Sequence, residues 1–275
     1  ALVLGMYVAK AQETVYPTPA HKGITIIKNG TVHVGNGQVL QQTDIQVVDG
    51  KIQKLGTALA VSAGNVTVID ATGKDVYPGL ILSNATTGLK EIGSAVKGSN
   101  DFDEMGDLNP NIRSIVAYNT DSKIINTLRS NGILMANIAP QGNLLAGNSS
   151  VVQFDAWTYE DAAYQENTAM HFYMPSLFNR PRRGGGGGRG GSTDADPIKT
   201  ALDKIDMVKD FFRQAKAYHA QKNLNNTNLK FEATKNLFNK SEKLFVHCKL
   251  VKEMLVAIDF INEFGFDVTI VGGSE

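Results

Sequence analysis

Three short stretches of this chain carry the residue types that chemistry needs. Lys243-Leu244-Phe245-Val246-His247-Cys248 is a strand-like run that ends on an imidazole beside the single cysteine. His247 suits a base or a lone metal ligand; as a packed histidine, its ring would instead be hydrogen-bonded in the interior. Cys248 could act as a nucleophile, but strand alternation points it the opposite way from His247, and a buried cysteine is inert. Earlier, Leu80-Ile81-Leu82-Ser83-Asn84-Ala85-Thr86 offers Asn84 and Thr86. Their neutral oxygens bind a borderline ion far more weakly than imidazole does. His171, within Met170-His171-Phe172-Tyr173-Met174-Pro175, lies in an aromatic segment that either lines a pocket or packs in a core. Asp101, Asp103 and Glu104 form an acidic group, at the mouth of a site or on a solvated loop, without a calcium-loop pattern. His33 and His219 fall on a surface strand and on the polar side of a helix, and no role follows for either.

Composition narrows the classes. The 27 basic and 27 acidic residues cancel, so no net field favours nucleic acid or an anionic membrane. A hydrophobic fraction of 42% supports a substantial core, in one large or two smaller domains. One cysteine excludes an internal disulfide framework and a multi-cysteine zinc site. No stretch reaches the ~20 apolar residues of a membrane span. Ala1 to Val8 is apolar, and Ala9-Lys10-Ala11 has small residues at the spacing a signal peptidase reads. Residues 1–11 are therefore read as a signal-peptide remnant, with a secreted or periplasmic destination. The Gly/Arg-rich stretch at 180–193 cannot bury apolar surface and is expected as a loop insertion. It lacks the aromatic interleaving of a nucleic-acid binder and the Lys-Ser/Thr of a phosphate loop.

The elements that must position these residues follow from periodicity. Ile24-Thr25-Ile26-Ile27, closed by Asn29-Gly30, reads as a short strand. Asp44 to Val48 and Lys51 to Leu55 flank Asp49-Gly50, a type I′ hairpin signal, and Val66 to Asp70 adds a strand. From Pro78 the period changes. Ser122 to Ser130 is helical, and Gly132 to Ile138 is a continuous apolar run suited to a strand covered on both faces. Ile198, Leu202, Ile205, Val208, Phe212 and Ala215 form a helical stripe behind the N-cap pair Asp196-Pro197. The strand ending at His247, a helix with Leu250, Met254, Leu255, Ile258 and Ile261 ended by Gly265, and the strand Asp267 to Val271 make one βαβ unit. A parallel sheet is expected.

In this order the pieces resemble the amidohydrolase superfamily, and within it the imidazolonepropionase-like amidohydrolases. Asp70-Ala71-Thr72-Gly73-Lys74 and Val76-Tyr77-Pro78-Gly79-Leu80-Ile81 match the frame D-A-x-G-K-x-V-x-P-G-L-I. Gly88-Leu89-Lys90-Glu91-Ile92-Gly93, Asp101 to Gly106, and the loop Ala139 to Ser149 follow in the family's sequence of segments. The resemblance implies an α/β fold, a (β/α)8 TIM-type barrel incomplete within 78–275, preceded by a small β-sandwich over 12–77. It also implies hydrolysis of non-peptide carbon–nitrogen bonds, often in cyclic amides. Zinc or another divalent metal would be held by an H-x-H pair, two later histidines and an aspartate.

Carried over residue by residue, the H-x-H pair falls on Asn84 and Thr86, the next histidine on His247, and the last on Gly272. The aspartate would follow residue 275. His247 is the one family ligand left, Asn84, Thr86 and Gly272 are substituted positions, and no cofactor is expected. Glu104, Asn143 and His171 are the candidates to line a pocket. Two readings follow: an exported hydrolase with a degenerate metal site, or an inactive relative that binds a small molecule or a partner, as a homo- or hetero-oligomer.

Overall fold

The computed structural model describes residues 17–60, 66–91, 100–178, 196–221 and 226–275. The expected signal remnant at 1–11 and the Gly/Arg-rich stretch at 180–193 lie outside the described residues. The chain divides into two compact units between Leu80 and Ile81, slightly beyond the boundary expected at residue 77.

The first unit is a sheet of five strands: β1 (Ile24–His33), β2 (Val39–Val48), β3 (Lys51–Gly56), β4 (Val66–Asp70) and β5 (Asp75–Val76). Its order is β3-β2-β1-β4, with β5 also pairing β1, so a single sheet rather than two layers is present among the described residues. Asp49 and Gly50 both take positive φ, 48° and 77°, as a type I′ turn requires, and they join β2 to β3. Asn29-Gly30 does not close β1. Asn29 adopts φ 57° inside the strand, its N–H donates to Asp44 Oδ1 at 2.9 Å, and the register shifts there as a bulge. Gly30 is needed at that point because a Cβ would meet Val76 Cγ2 at 2.9 Å.

The second unit is built on a mixed six-stranded sheet, order β11-β10-β9-β8-β7-β6, curled into a half-barrel. Its strands are β6 (Leu80–Ala85), β7 (Ile133–Ile138), β8 (Leu145–Gln153), β9 (Ala163–Tyr173), β10 (Lys243–Cys248) and β11 (Val268–Gly272). The helices are α1 (Lys123–Ser130), α2 (Tyr159–Ala162), α3 (Pro197–His219), α4 (Leu229–Glu232), α5 (Lys235–Phe238) and α6 (Val251–Phe264). β9, β10 and β11 are parallel, as expected of a βαβ unit. β8 is not: it runs antiparallel to both β7 and β9. The segment expected as a loop, Ala139 to Ser149, therefore supplies the first half of a strand. The reason is length, since the connections on either side of β8 are too short for a parallel crossover of a dozen or more residues.

Two cores hold this unit. α1 lays Ile125 on Ala136, Ile138 and Val152, together with Leu89, Ile115 and Phe154. Phe172, Phe212, Val246, Phe260 and Phe266 join α3 and α6 to β9 and β10. Each such ring contributes about 1.5–3 kcal/mol when fully buried. Asp196 caps α3 by accepting from the Ile198 N–H at 3.0 Å, with Pro197 in the first turn. The buried stripe of α3 is Ala201, Ile205, Val208, Phe211, Phe212, Ala215 and Tyr218, while Leu202 is exposed. α6 is apolar around most of its circumference. Its inward residues are Glu253, Ala257 and Phe260, and Leu255, Ile258 and Ile261 face outward. Gly265, at φ 73°, ends it as expected.

Candidate functional site

Strand alternation sorts the ends of β9 and β10 into two faces. The parallel register sets Phe245 opposite His171 and His247 opposite Tyr173. With a period of two, these four side chains share one face. The other face carries Phe172, Leu244, Val246 and Cys248 into the helix-covered core. Cys248 is 4% exposed, and burial, followed by the charge of Glu253, pushes its thiol pKa up.

On the first face two cavities share Tyr173 and His247. One, of about 250 Å³, is also lined by Asn84, Ala85, Thr86, Ala139 and Gln141. The other, of about 560 Å³, takes in Met174, Lys249, Leu250, Glu253 and Gly272. The fold thus brings Asn84, Thr86 and His247 around one space, and His247 and Gly272 around the next. Tyr173 and Gln141 are additions that sequence reading missed. Tyr173 had a signal, because it lies two residues beyond His171 in the same strand.

His247 is held from two sides. Tyr173 stacks on it with ring centroids 4.0 Å apart and planes within 13°. The Tyr173 hydroxyl donates to the Pro140 carbonyl at 2.9 Å, and burial pushes its pKa up to about 12, which keeps the proton on. His171 Nδ1 lies 2.8 Å from His247 Nε2. His171 does not line either cavity; it is 0% exposed beneath them, and its Nε2 has no hydrogen-bond partner among the described residues. Burial, then the neighbouring His247, pushes the His171 pKa down to about 3, and burial pushes that of His247 down to about 4. Both rings are neutral at pH 7, so a single proton occupies the bond between them.

Gly272 is set by the backbone. Its φ is 103°, and a Cβ there would lie 2.6 Å from the Cys248 carbonyl oxygen. That oxygen also accepts the Gly273 N–H at 2.8 Å, so β10 and β11 close tightly at this point. Glu253, another residue with no signal in the sequence, ties the strand ends together. Its carboxylate accepts from Leu177 N–H at 3.0 Å, Lys249 N–H at 2.9 Å and Leu250 N–H at 3.1 Å. Burial pushes its pKa up, but these bonds and the Ser176 hydroxyl outweigh it, and the net shift is downward.

The remaining candidates sit elsewhere. Glu104 lines a separate cavity of about 300 Å³ with Asp101, Asp103, Phe102 and Arg113. Arg113 is ion-paired with Glu166. Asn143 is exposed between β7 and β8 and lines none of the three cavities. His33 is bonded to Asp75 and stacked on Tyr77, and His219 is bonded to the Phe231 carbonyl. Among the described residues, no group of three His, Cys, Asp or Glu side chains converges as a metal cluster would.

No protein-family model matches this sequence, and a search of curated proteins finds no match. Solved structures do match. An amidohydrolase from Thermotoga maritima superposes with a TM-score of 0.71 at 20% identity, over 90% of this chain and 63% of that one. A prolidase complexed with N-methylphosphonate-L-proline aligns at 0.41 and 13% identity, over 89% and 65%, a superposition too loose to add weight. The chain therefore spans somewhat less than two thirds of the length of these structures. At such identities a likeness speaks for architecture, and the architecture it gives is plain: this chain is built on the fold of the Thermotoga amidohydrolase.

Proposed function

We propose that this chain is an exported protein of the amidohydrolase superfamily, imidazolonepropionase-like in its sequence frame, whose strand-end site binds a small molecule without the family's metal. The observation that carries the reading is the donor set around the 250 Å³ cavity. It offers one imidazole, with Nε2 engaged by His171, beside the neutral side chains of Asn84, Thr86 and Gln141. A zinc-type ion calls for several converging nitrogen or anionic oxygen donors at about 2.0–2.2 Å. Neutral amide and hydroxyl oxygens are poor substitutes. At Gly272 the Cys248 carbonyl fills the space where a side chain would start. The residues present do not fit a resident metal.

A TIM-type barrel, supported by the sequence frame, and export, supported by the apolar start and Ala9-Lys10-Ala11, belong to the same reading. The second reading is hydrolysis of a non-peptide carbon–nitrogen bond, in line with the likeness to the Thermotoga amidohydrolase, and its cyclic amide type rests on the sequence resemblance alone. Metal analysis of the purified protein after dialysis separates the two. Substoichiometric zinc, iron and manganese are expected, and one equivalent of any of them sinks the metal-free reading. The double variant Asn84→His/Thr86→His should then gain zinc affinity, because it restores two imidazoles at one cavity wall.

A further inference from the structure

The His171–His247 bond has a consequence for what the site can recognise. One proton lies between His171 Nδ1 and His247 Nε2, and it belongs to one ring or the other. If His247 supplies it, His171 must carry its own proton on Nε2, in full burial and with no acceptor among the described residues. If His171 supplies it, the group left unpaired is a bare lone pair. Orphaned buried N–H groups are the rarer of the two in folded proteins. The second arrangement protonates His247 on Nδ1. That nitrogen makes no hydrogen bond among the described residues, and His247 lines both cavities, where a ligand would meet it.

From this geometry we infer that His171 is a positioning residue that fixes His247 as an Nδ1–H donor, and that the site binds small molecules through a carbonyl or carboxylate oxygen accepting that hydrogen. The stack on Tyr173, itself anchored to Pro140, holds the plane of the His247 ring, and the contact with His171 selects the edge that carries Nε2. Cavity residues around the ring add compatible donors: the Asn84 and Gln141 amides, the Thr86 hydroxyl and the Lys249 ammonium. The charge of Glu253 lies at the larger cavity, so an anionic ligand belongs in the smaller one, which no carboxylate lines. The assignment of ligand chemistry rests on the small-molecule reading above, whereas the tautomer does not.

Nitrogen-15 spectra of histidine-labelled protein at pH 7 read the tautomer directly. His247 is expected to show a protonated Nδ1 and a pyridine-type Nε2, the reverse of the preference of a free imidazole. A protonated Nε2 in the unaltered protein overturns the inference. His171→Phe should return His247 to Nε2 protonation, with His171→Asn as the gentler variant if the phenylalanine impairs folding. An unchanged His247 tautomer in a folded variant also overturns it. Benzoate and benzamide, which carry the acceptor, should shift the His247 Nδ1–H resonance, and benzylamine should not. His171→Phe should weaken benzoate binding about tenfold, the order expected for one hydrogen bond. If the tautomer is as inferred and neither acceptor probe binds, the small-molecule reading falls and the positioning role stands.

Discussion

Glu242 and Glu253 stand at opposite ends of β10, 1% and 4% exposed, and their carboxyls meet opposite surroundings. Glu253, just beyond the C-terminal end, accepts three backbone N–H groups and is held ionised, with its pKa below the ordinary range. Glu242, just before the N-terminal end, has no partner for either oxygen among the described residues. Burial pushes its pKa from the ordinary 4.5 up to about 8, so it is a neutral acid at pH 7. Burial alone does not decide the charge of a carboxyl; the supply of donors does. In barrel folds the C-terminal strand ends carry function and the opposite ends carry stability. Here the charge is kept where the loops around the cavity must be held, and given up where only packing is asked for.

The largest effect should come from Glu253→Gln. It leaves the Lys249 and Leu250 N–H groups facing an amide or without an acceptor, at a cost of about 3 kcal/mol in urea unfolding at pH 7. A depressed folded pKa means that this stability is present above the unfolded value of about 4.5 and is lost as pH falls through the folded one. The difference between variant and parent should therefore shrink in acid.

Glu242→Gln should act in the other direction. Because the folded pKa is raised, the parent loses stability as pH climbs from about 4.5 to about 8, and the uncharged variant does not. The variant should be more stable by a few kcal/mol at pH 7, with no difference at pH 4. Equal pH dependence in the two proteins would remove the contrast between the strand ends.

The smallest effect concerns Cys248, whose thiol pKa is raised by burial and then by Glu253. In the parent it should react slowly with a thiol reagent under native conditions. Glu253→Gln should speed that reaction a few-fold beyond an equally destabilised Phe260→Leu control, because only the former removes the charge. Equal rates in the two variants would mean that opening, not electrostatics, governs access.

Much of the scaffold was legible because its signals are local. The Asp49-Gly50 hairpin, the Asp196-Pro197 start of α3, the Gly265 stop of α6 and the parallel β10–β11 unit each rest on a few adjacent residues. Misreadings arose where pairing partners lie far off in sequence. Asn29-Gly30 reads as a turn but forms a bulge, because Asp44 and Val76 are there to receive it. Ala139 to Ser149 reads as a loop, yet its second half pairs with Ala169 to Phe172 of β9. The apolar surplus of α6 gave no means to tell that Ala257 and Phe260, not Leu255 and Ile258, face inward.

The residue types at the site were a matter of sequence alone. Asn84, Thr86 and Gly272 stand where the resemblance leads one to look for imidazoles, and alternation was enough to separate His247 from Cys248. What only the tertiary structure decided is how those residues are used. The bond between His171 and His247 joins residues 76 positions apart, and the Cys248 carbonyl closes Gly272 to any side chain. Proton placement, pKa and steric room depend on which atoms lie within a few ångströms, and spacing along a chain does not encode that distance until strands are paired.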